Sequence, residues 1–352
     1  MSEDVVRSAP AGTADSAQMQ PRKQWDLSWM EVPTERGIRP PIGSDGLTLA
    51  AINVGSYADV PVRWPYRNDT PRGSVPLVDA SPSIAAVVDE KAELWSDNAA
   101  DLYEEAIRDR WVPAADLPWA TLQPLPELTE RAICQLCTRL SEEALLTQQV
   151  IGRWLQHLSY GYHEVKMYLA TQVFDAGRHV EAFRKRALAN GGGLGYESPG
   201  IYNRALHGVL RFTEHVLFLN VMRGSTTLAL LEQLAPSASD DCERTLYRLC
   251  ARDLARHVAF GTGHLRFHLE QQNDQAQIHF YLNRIESAYA VEVERDKPLN
   301  EALRVLAKRD GKTLAALRQQ QIERYLKALS AAGLTDRQER LDPAFVALGA
   351  SA

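Results

Sequence analysis

The sequence predicts an all-α protein: a bundle of long helices with extra helices at both ends and an irregular N-terminal arm. Three observations carry this prediction. The pattern Asp-x-x-Arg-His-Val occurs twice, at Asp175–Val180 and at Asp253–Val258, each time inside a helical pattern. Several stretches keep a helical apolar period over more than twenty residues. No stretch alternates apolar and polar residues in the manner of a half-buried strand.

Composition bounds the function. The 352 residues suffice for one large domain or two ordinary ones, with a sizeable core. The net charge of −6 argues against a nucleic-acid surface, which would be basic. No apolar run approaches the ~18 residues that span a bilayer, so no membrane contact is expected. The polar start, Met1 to Arg22, lacks the apolar segment of a secretory signal. Four cysteines are too few for a disulfide scaffold, and a reducing cytoplasm is the expected compartment. Cys134 and Cys137 stand one helical turn apart and read as core residues.

Along the chain, residues 1–80 read as an arm. Its first 22 residues are expected to be disordered, and the rest places Trp25, Trp29 and Trp64 against a body. Ser81-Pro82-Ser83 is a helix start that should run to Trp95. Asn98 to Trp111 carries Leu102, Ala106 and Ile107 at helical spacing, and Pro113 and Pro118 break it. The helical domain spans 81–335, with its core bundle at about 126–272. Four long helices are expected there: Pro126–Tyr160, Glu164–Ala189, Ile201–Leu234 and Asp241–Gln272. The glycine run from Gly191 to Gly195 has no Gly-Lys-Ser/Thr ending and follows a helix, so it reads as a flexible connection rather than a phosphate loop. Ala276–Arg295, Leu299–Lys308 and Thr313–Ala332 follow, with Gly333 as a C-terminal stop. Residues 336–352 read as a loose tail, and the polar run Arg318–Arg324 as a solvated helix face.

The repeated motif is where chemistry would sit. Asp175 and His179 are four residues apart and share a helix face, as do Asp253 and His257. In a helix-bundle metal site the ligand unit is Glu-x-x-His. Here Ala176 and Leu254 stand three residues before the histidines, and neither can bind a metal.

With those residues in view, the chain resembles the ferritin-like di-iron carboxylate family: bacterial non-haem monooxygenases, N-oxygenases and the ribonucleotide reductase small subunit. The family signature is two copies of Asp-Glu-x-Arg-His. This chain has Asp175-Ala176-Gly177-Arg178-His179 and Asp253-Leu254-Ala255-Arg256-His257, so both motif glutamates are replaced and the di-iron motif is degenerate. Ala170-Thr171-Gln172 and Val180-Glu181-Ala182-Phe183 around the first copy are also similar to the family, as are Val258-Ala259-Phe260-Gly261 after the second. So is Leu102-Tyr103-Glu104-Glu105-Ala106, followed by Trp111 and Pro118-Trp119.

The resemblance implies metal ligands at His179 and His257, with Glu143 (or Glu142) and Glu214 as the lone glutamates; Ala144 or Leu146 are alternatives at the first position. Asp175 and Asp253 match aspartates that orient the ligand histidines, and Arg178 and Arg256 match their arginine partners. Three readings stay open: a packed Asp–His–Arg relic, a rearranged site with one iron on His179, His257, Glu143 and Glu214, and a metal-free pocket. His264, His268 and Cys250 fall on the His257 face and read as a polar flank and a core residue.

The implied function is an O2-dependent oxidoreductase that hydroxylates or N-oxygenates a small organic substrate. It would use one or two iron ions, draw electrons from a separate reductase, and work as a homodimer or within an oxygenase complex. The alternatives are a non-catalytic structural subunit of a multicomponent oxygenase and a metal-free ligand-binding bundle.

Overall fold

The computed structural model describes residues 25–31, 35, 37–64, 71–75, 77, 88–272 and 274–350. Met1–Thr34 and Glu35–Ala352 are separate compact units. The described residues of the first unit include a 3-10 turn, Ser28–Glu31, whose entry is tied by Asp26 Oδ1 accepting from the Ser28 amide at 3.0 Å.

The second unit is all-α. It contains α1 (Lys91–Leu94), α2 (Ala99–Arg108), α3 (Glu127–His157), α4 (His163–Ala189), α5 (Ile201–His207), α6 (Phe212–Val216), α7 (Gly224–Leu234), α8 (Asp241–Gln271), α9 (Gln275–Arg295), α10 (Lys297–Arg309), α11 (Leu314–Ala331) and α12 (Pro343–Ala347). A π-helical stretch, Leu217–Arg223, joins α6 to α7. Among the described residues there is no strand, only isolated β-bridges.

α3 packs along α4, and α7 along α8; α10 and α11 cover the bundle from outside. Two apolar clusters fill it. One gathers Leu146–Leu158, Val165–Leu169, Phe212–Met222 and Phe260–Leu265 around Trp154 and Tyr168. The other gathers Ile133–Leu140, Ala182–Ala187, Leu228–Leu234 and Leu246–Ala251 around Phe183 and Tyr247. All four long helical segments cross from one cluster to the other at the same level. Both Asp-x-x-Arg-His motifs lie there, between two dry layers.

Helix ends follow ordinary chemistry. Asp240 caps α8 through the Glu243 amide, Asp296 caps α10, and Thr313 caps α11. Buried ion pairs bind the helices together. Arg186 of α4 is fully buried between Glu130 of α3 and Glu243 of α8. Arg337 is held by Glu286 of α9.

Several expectations are corrected. The helix start at Ser81 lies outside the described residues, and the helix that reaches Trp95 begins at Lys91. The third long helix breaks at Gly208–Arg211 and resumes through the π stretch. The segment after Ala189 is clasped to α3: Gln135 bonds both the amide and the carbonyl of Tyr196. Gly195 is needed there, since a Cβ would sit 2.1 Å from Gln135 Oε1. The tail is anchored, because Phe345 of α12 is fully buried against Tyr289 and Tyr325. His264 and His268 are buried rather than solvated; they bond the carbonyls of Trp95 and Ala92. Arg318 and Gln321 are buried too, so the Arg318–Arg324 run is a solvated face on one side only. In the arm, Arg72 forms a buried ion pair with Glu164, and Trp64 lies over Gly161.

Candidate functional site

The two motifs face each other across α4 and α8. Helical spacing places each aspartate on the face of its own histidine, yet the bonds cross between helices. His179 Nε2 meets Asp253 Oδ2 at 3.1 Å, and His257 Nε2 meets Asp175 Oδ2 at 3.1 Å. Each arginine instead pairs with the aspartate three residues before it, Arg178 with Asp175 and Arg256 with Asp253. The arginines also cross over: Arg178 Nη2 donates to Asp253 Oδ2 at 3.1 Å, and Arg256 Nη2 stands 3.5 Å from Asp175 Oδ2. Trp111 completes the set. Its Nε1 donates to Asp253 Oδ2 at 2.8 Å, and its carbonyl accepts from Arg178.

This is a closed network in a buried place. All six motif side chains are buried. Two carboxylates, Asp175 and Asp253, face two guanidiniums, and Glu105 stands 3.8 Å from Arg256 Nη1. Burial pushes the Asp253 carboxyl up, but the His179 hydrogen bond and the charges of His179, Arg178 and Arg256 outweigh it and hold the group well below the usual carboxylate range. A carboxylate flanked by guanidiniums only accepts, so each imidazole donates from Nε2.

Both histidines line a cavity of about 40 Å³ in the centre of the bundle. α4 contributes Ala176 and α8 contributes Leu254 to its wall. α3 contributes Leu140, Glu143, Ala144 and Thr147. The π stretch and α7 contribute Leu219, Asn220, Arg223, Gly224 and Thr227. Glu143 accepts from Thr227 Oγ1 at 3.0 Å. Glu142 points elsewhere: it pairs with Arg139 and accepts from the Ser198 amide and Asn203.

Glu214 is not at this cavity. It lies on α6, where Arg284 of α9 pairs with it at 2.9 Å. Burial raises its carboxyl above the ordinary range. The physical reason it misses the cavity is its level: Glu214 precedes every third-helix residue of the wall, and a helical rise of about 1.5 Å per residue puts it roughly 13 Å along the axis from Arg223. The residue that the third helix brings to the cavity is Arg223, buried and cationic. Sequence reading missed Arg223, Asn220 and Thr227; the only available signal was their position on a long apolar helix.

The donor set does not fit a di-metal centre. Of the wall residues, only His179, His257 and Glu143 carry an imidazole or a carboxylate. Ala144, Ala176 and Leu254 are alkyl, and Arg223 would repel a cation. Among the described residues, no group of three or more His, Cys, Asp or Glu side chains converges to hold a metal ion.

No family model matches the sequence, and no curated protein matches it. Solved structures do. Three variants of R2-like ligand-binding oxidase with a reconstituted Mn/Fe cofactor align at TM-scores of 0.52, 0.54 and 0.53. Identity is 17%, 16% and 17%, and each alignment covers 67% of this chain and 94% of the other. The chain has the ferritin-like, R2-like fold. The expected fold class is therefore found. Within this R2-like bundle the two histidines and their aspartate and arginine partners are present, while alkyl and guanidinium groups line the space between them. No helix among the described residues is long and apolar enough to cross a membrane.

Proposed function

We propose that this chain is a metal-independent, R2-like binding protein rather than an O2-activating oxidase. One observation carries the proposal: the wall between His179 and His257 is built from Ala144, Ala176, Leu254 and the cation Arg223. A di-metal centre in a helix bundle draws a carboxylate from each of its four helices. Here α3 alone supplies one, Glu143, and it is bonded to Thr227. The proteins that match in fold are named for two attributes, a Mn/Fe cofactor and ligand binding. The second is the one that a small buried cavity without a full set of bridging carboxylates can keep.

The network between α4 and α8 then has a structural role. It fixes both imidazole tautomers and holds the helices in register. A lipid or an aromatic ligand does not fit a central cavity of about 40 Å³. A space of this size takes a few water-sized groups.

A second reading keeps the oxidoreductase chemistry: one iron on His179, His257 and Glu143, acting on O2 and a small organic substrate with electrons from a separate reductase. The Nε2 bonds to the aspartates favour it, because they leave both Nδ1 atoms to a metal. Elemental analysis of protein from cells grown with added iron and manganese separates the two. The metal-independent reading predicts no metal above the buffer background. Stoichiometric iron or manganese that is lost in both His179→Ala and His257→Ala would establish the second reading.

A further inference from the structure

A second cavity, of about 50 Å³, adjoins the first; Leu140, Glu143, Arg223 and Thr227 line both. Two of its wall residues are buried arginines without an ionic partner. Arg223 donates from Nη2 to Asn203 Oδ1 at 2.7 Å and stacks its guanidinium 4.7 Å over the Tyr202 ring. Its Nη1 is buried with no partner. Arg318 donates from Nη1 to Gln321 Oε1 and from Nη2 to Asn300 Oδ1, both at 2.9 Å, and its Nε is buried with no partner. The relative exposures are 8% and 4%. Among the described residues neither guanidinium has a carboxylate within 4.0 Å.

The acids around the cavity are otherwise engaged. Glu292 and Asp296 pair with Arg139, and Glu292 also accepts from the Ile201 and Tyr202 amides. Glu143 accepts from Thr227. A buried guanidinium that contacts no carboxylate is costly, and here two of them line a space whose carboxylates, Glu143, Glu292 and Asp296, bond other groups. Guanidinium forks match oxyanions in shape and charge.

We propose that this cavity binds a small oxyanion, of formate, acetate or phosphate size, between Arg223 and Arg318. The volume admits a few heavy atoms and excludes larger acids. The oxyanion supplies the acceptors for Arg223 Nη1 and Arg318 Nε, and Gln321 and Asn300 hold Arg318 toward it. This deepens the binding reading by naming the ligand class, and it stands apart from the metal question because Arg318 lies outside the histidine cavity.

The test is thermal unfolding of the full chain in sodium formate, sodium acetate and sodium phosphate, each against sodium chloride at matched ionic strength. The proposal predicts a saturable rise in Tm with at least one oxyanion and not with chloride. Arg318→Met and Arg223→Met should each weaken the apparent affinity at least about tenfold. A response that is equal in chloride, one that does not saturate, or variants that keep wild-type affinity would overturn the proposal. Should a variant fail to fold, calorimetric titration of the wild-type protein with the same salts decides the matter, and no saturable heat overturns it. Oxyanion binding in a protein that also takes up metal at His179 and His257 would sink the metal-independent reading and leave this one standing. No oxyanion response in a metal-free protein would do the reverse.

Discussion

Removing Asp253 should destabilise the protein more than any other single change in the motif network. Its carboxylate is fully buried and accepts from four groups: Trp111, Arg178, His179 and Arg256. Asp253→Ala leaves two guanidiniums facing one carboxylate, Asp175, and strands the Trp111 N–H. Breaking a buried pair by removing one partner costs about 3–5 kcal/mol. A domain's whole stability is about 5–15 kcal/mol, so the variant should be marginal. Asp253→Leu with Arg178→Met removes one charge of each sign and should recover at least about 1 kcal/mol, because the two sites are coupled. Urea unfolding at pH 7 measures both, with the midpoint moving and the slope unchanged. The sign with pH follows from the depressed carboxyl. The contribution of Asp253 is complete above the unfolded value of about 3.9 and is lost as pH falls toward the lower folded value. Asp253→Asn should lack that component. A cost under about 1 kcal/mol for Asp253→Ala, in the range of an exposed pair, would refute the reasoning.

Three further outcomes are expected. Burial lowers His215 and His264 to about 3, so the unfolded chain binds their protons first; stability should fall from pH ~6.5 downward by about 1.4 kcal/mol per unit for each, and His264→Phe should flatten the slope. Arg186→Met strands Glu130 and Glu243 in the core and should cost about 3–5 kcal/mol by chemical denaturation, whereas Arg131→Met at an exposed pair should cost under about 1 kcal/mol. All four cysteines are free and buried, and burial raises Cys137, Cys242 and Cys250, so a thiol reagent should react slowly with native protein and rapidly with four thiols after unfolding.

Much of the fold was legible because long helices repeat their apolar period over many turns. α3, α4 and α8 begin and end within three residues of the expected bounds. What was hidden depends on register between helices. Spacing of four says that Asp175 and His179 share a face, but only packing shows that Asp175 bonds His257 and that His179 bonds Asp253. The lone glutamate on the third helix was misplaced for a related reason. Glu214 precedes every third-helix residue of the cavity wall and meets Arg284 instead, and the level at which two helices meet has no mark in the sequence. Arg318 read as solvated because it opens a polar run; its partners are the neutral amides of Gln321 and Asn300, which satisfy it without a charge pattern that sequence can show. The Arg72–Glu164 pair joins segments far apart in the chain, and nothing local announces it.

The central claim is that the cavity between His179 and His257 takes no metal. Anomalous diffraction at the iron and manganese edges tests it most directly, on crystals grown from protein loaded with an excess of both ions. The account predicts no anomalous peak beside either imidazole Nδ1, with a peak appearing only when Ala176, Arg223 and Leu254 are all changed to Glu. A peak in the wild-type cavity, bonded to His179, His257 and Glu143, would contradict it.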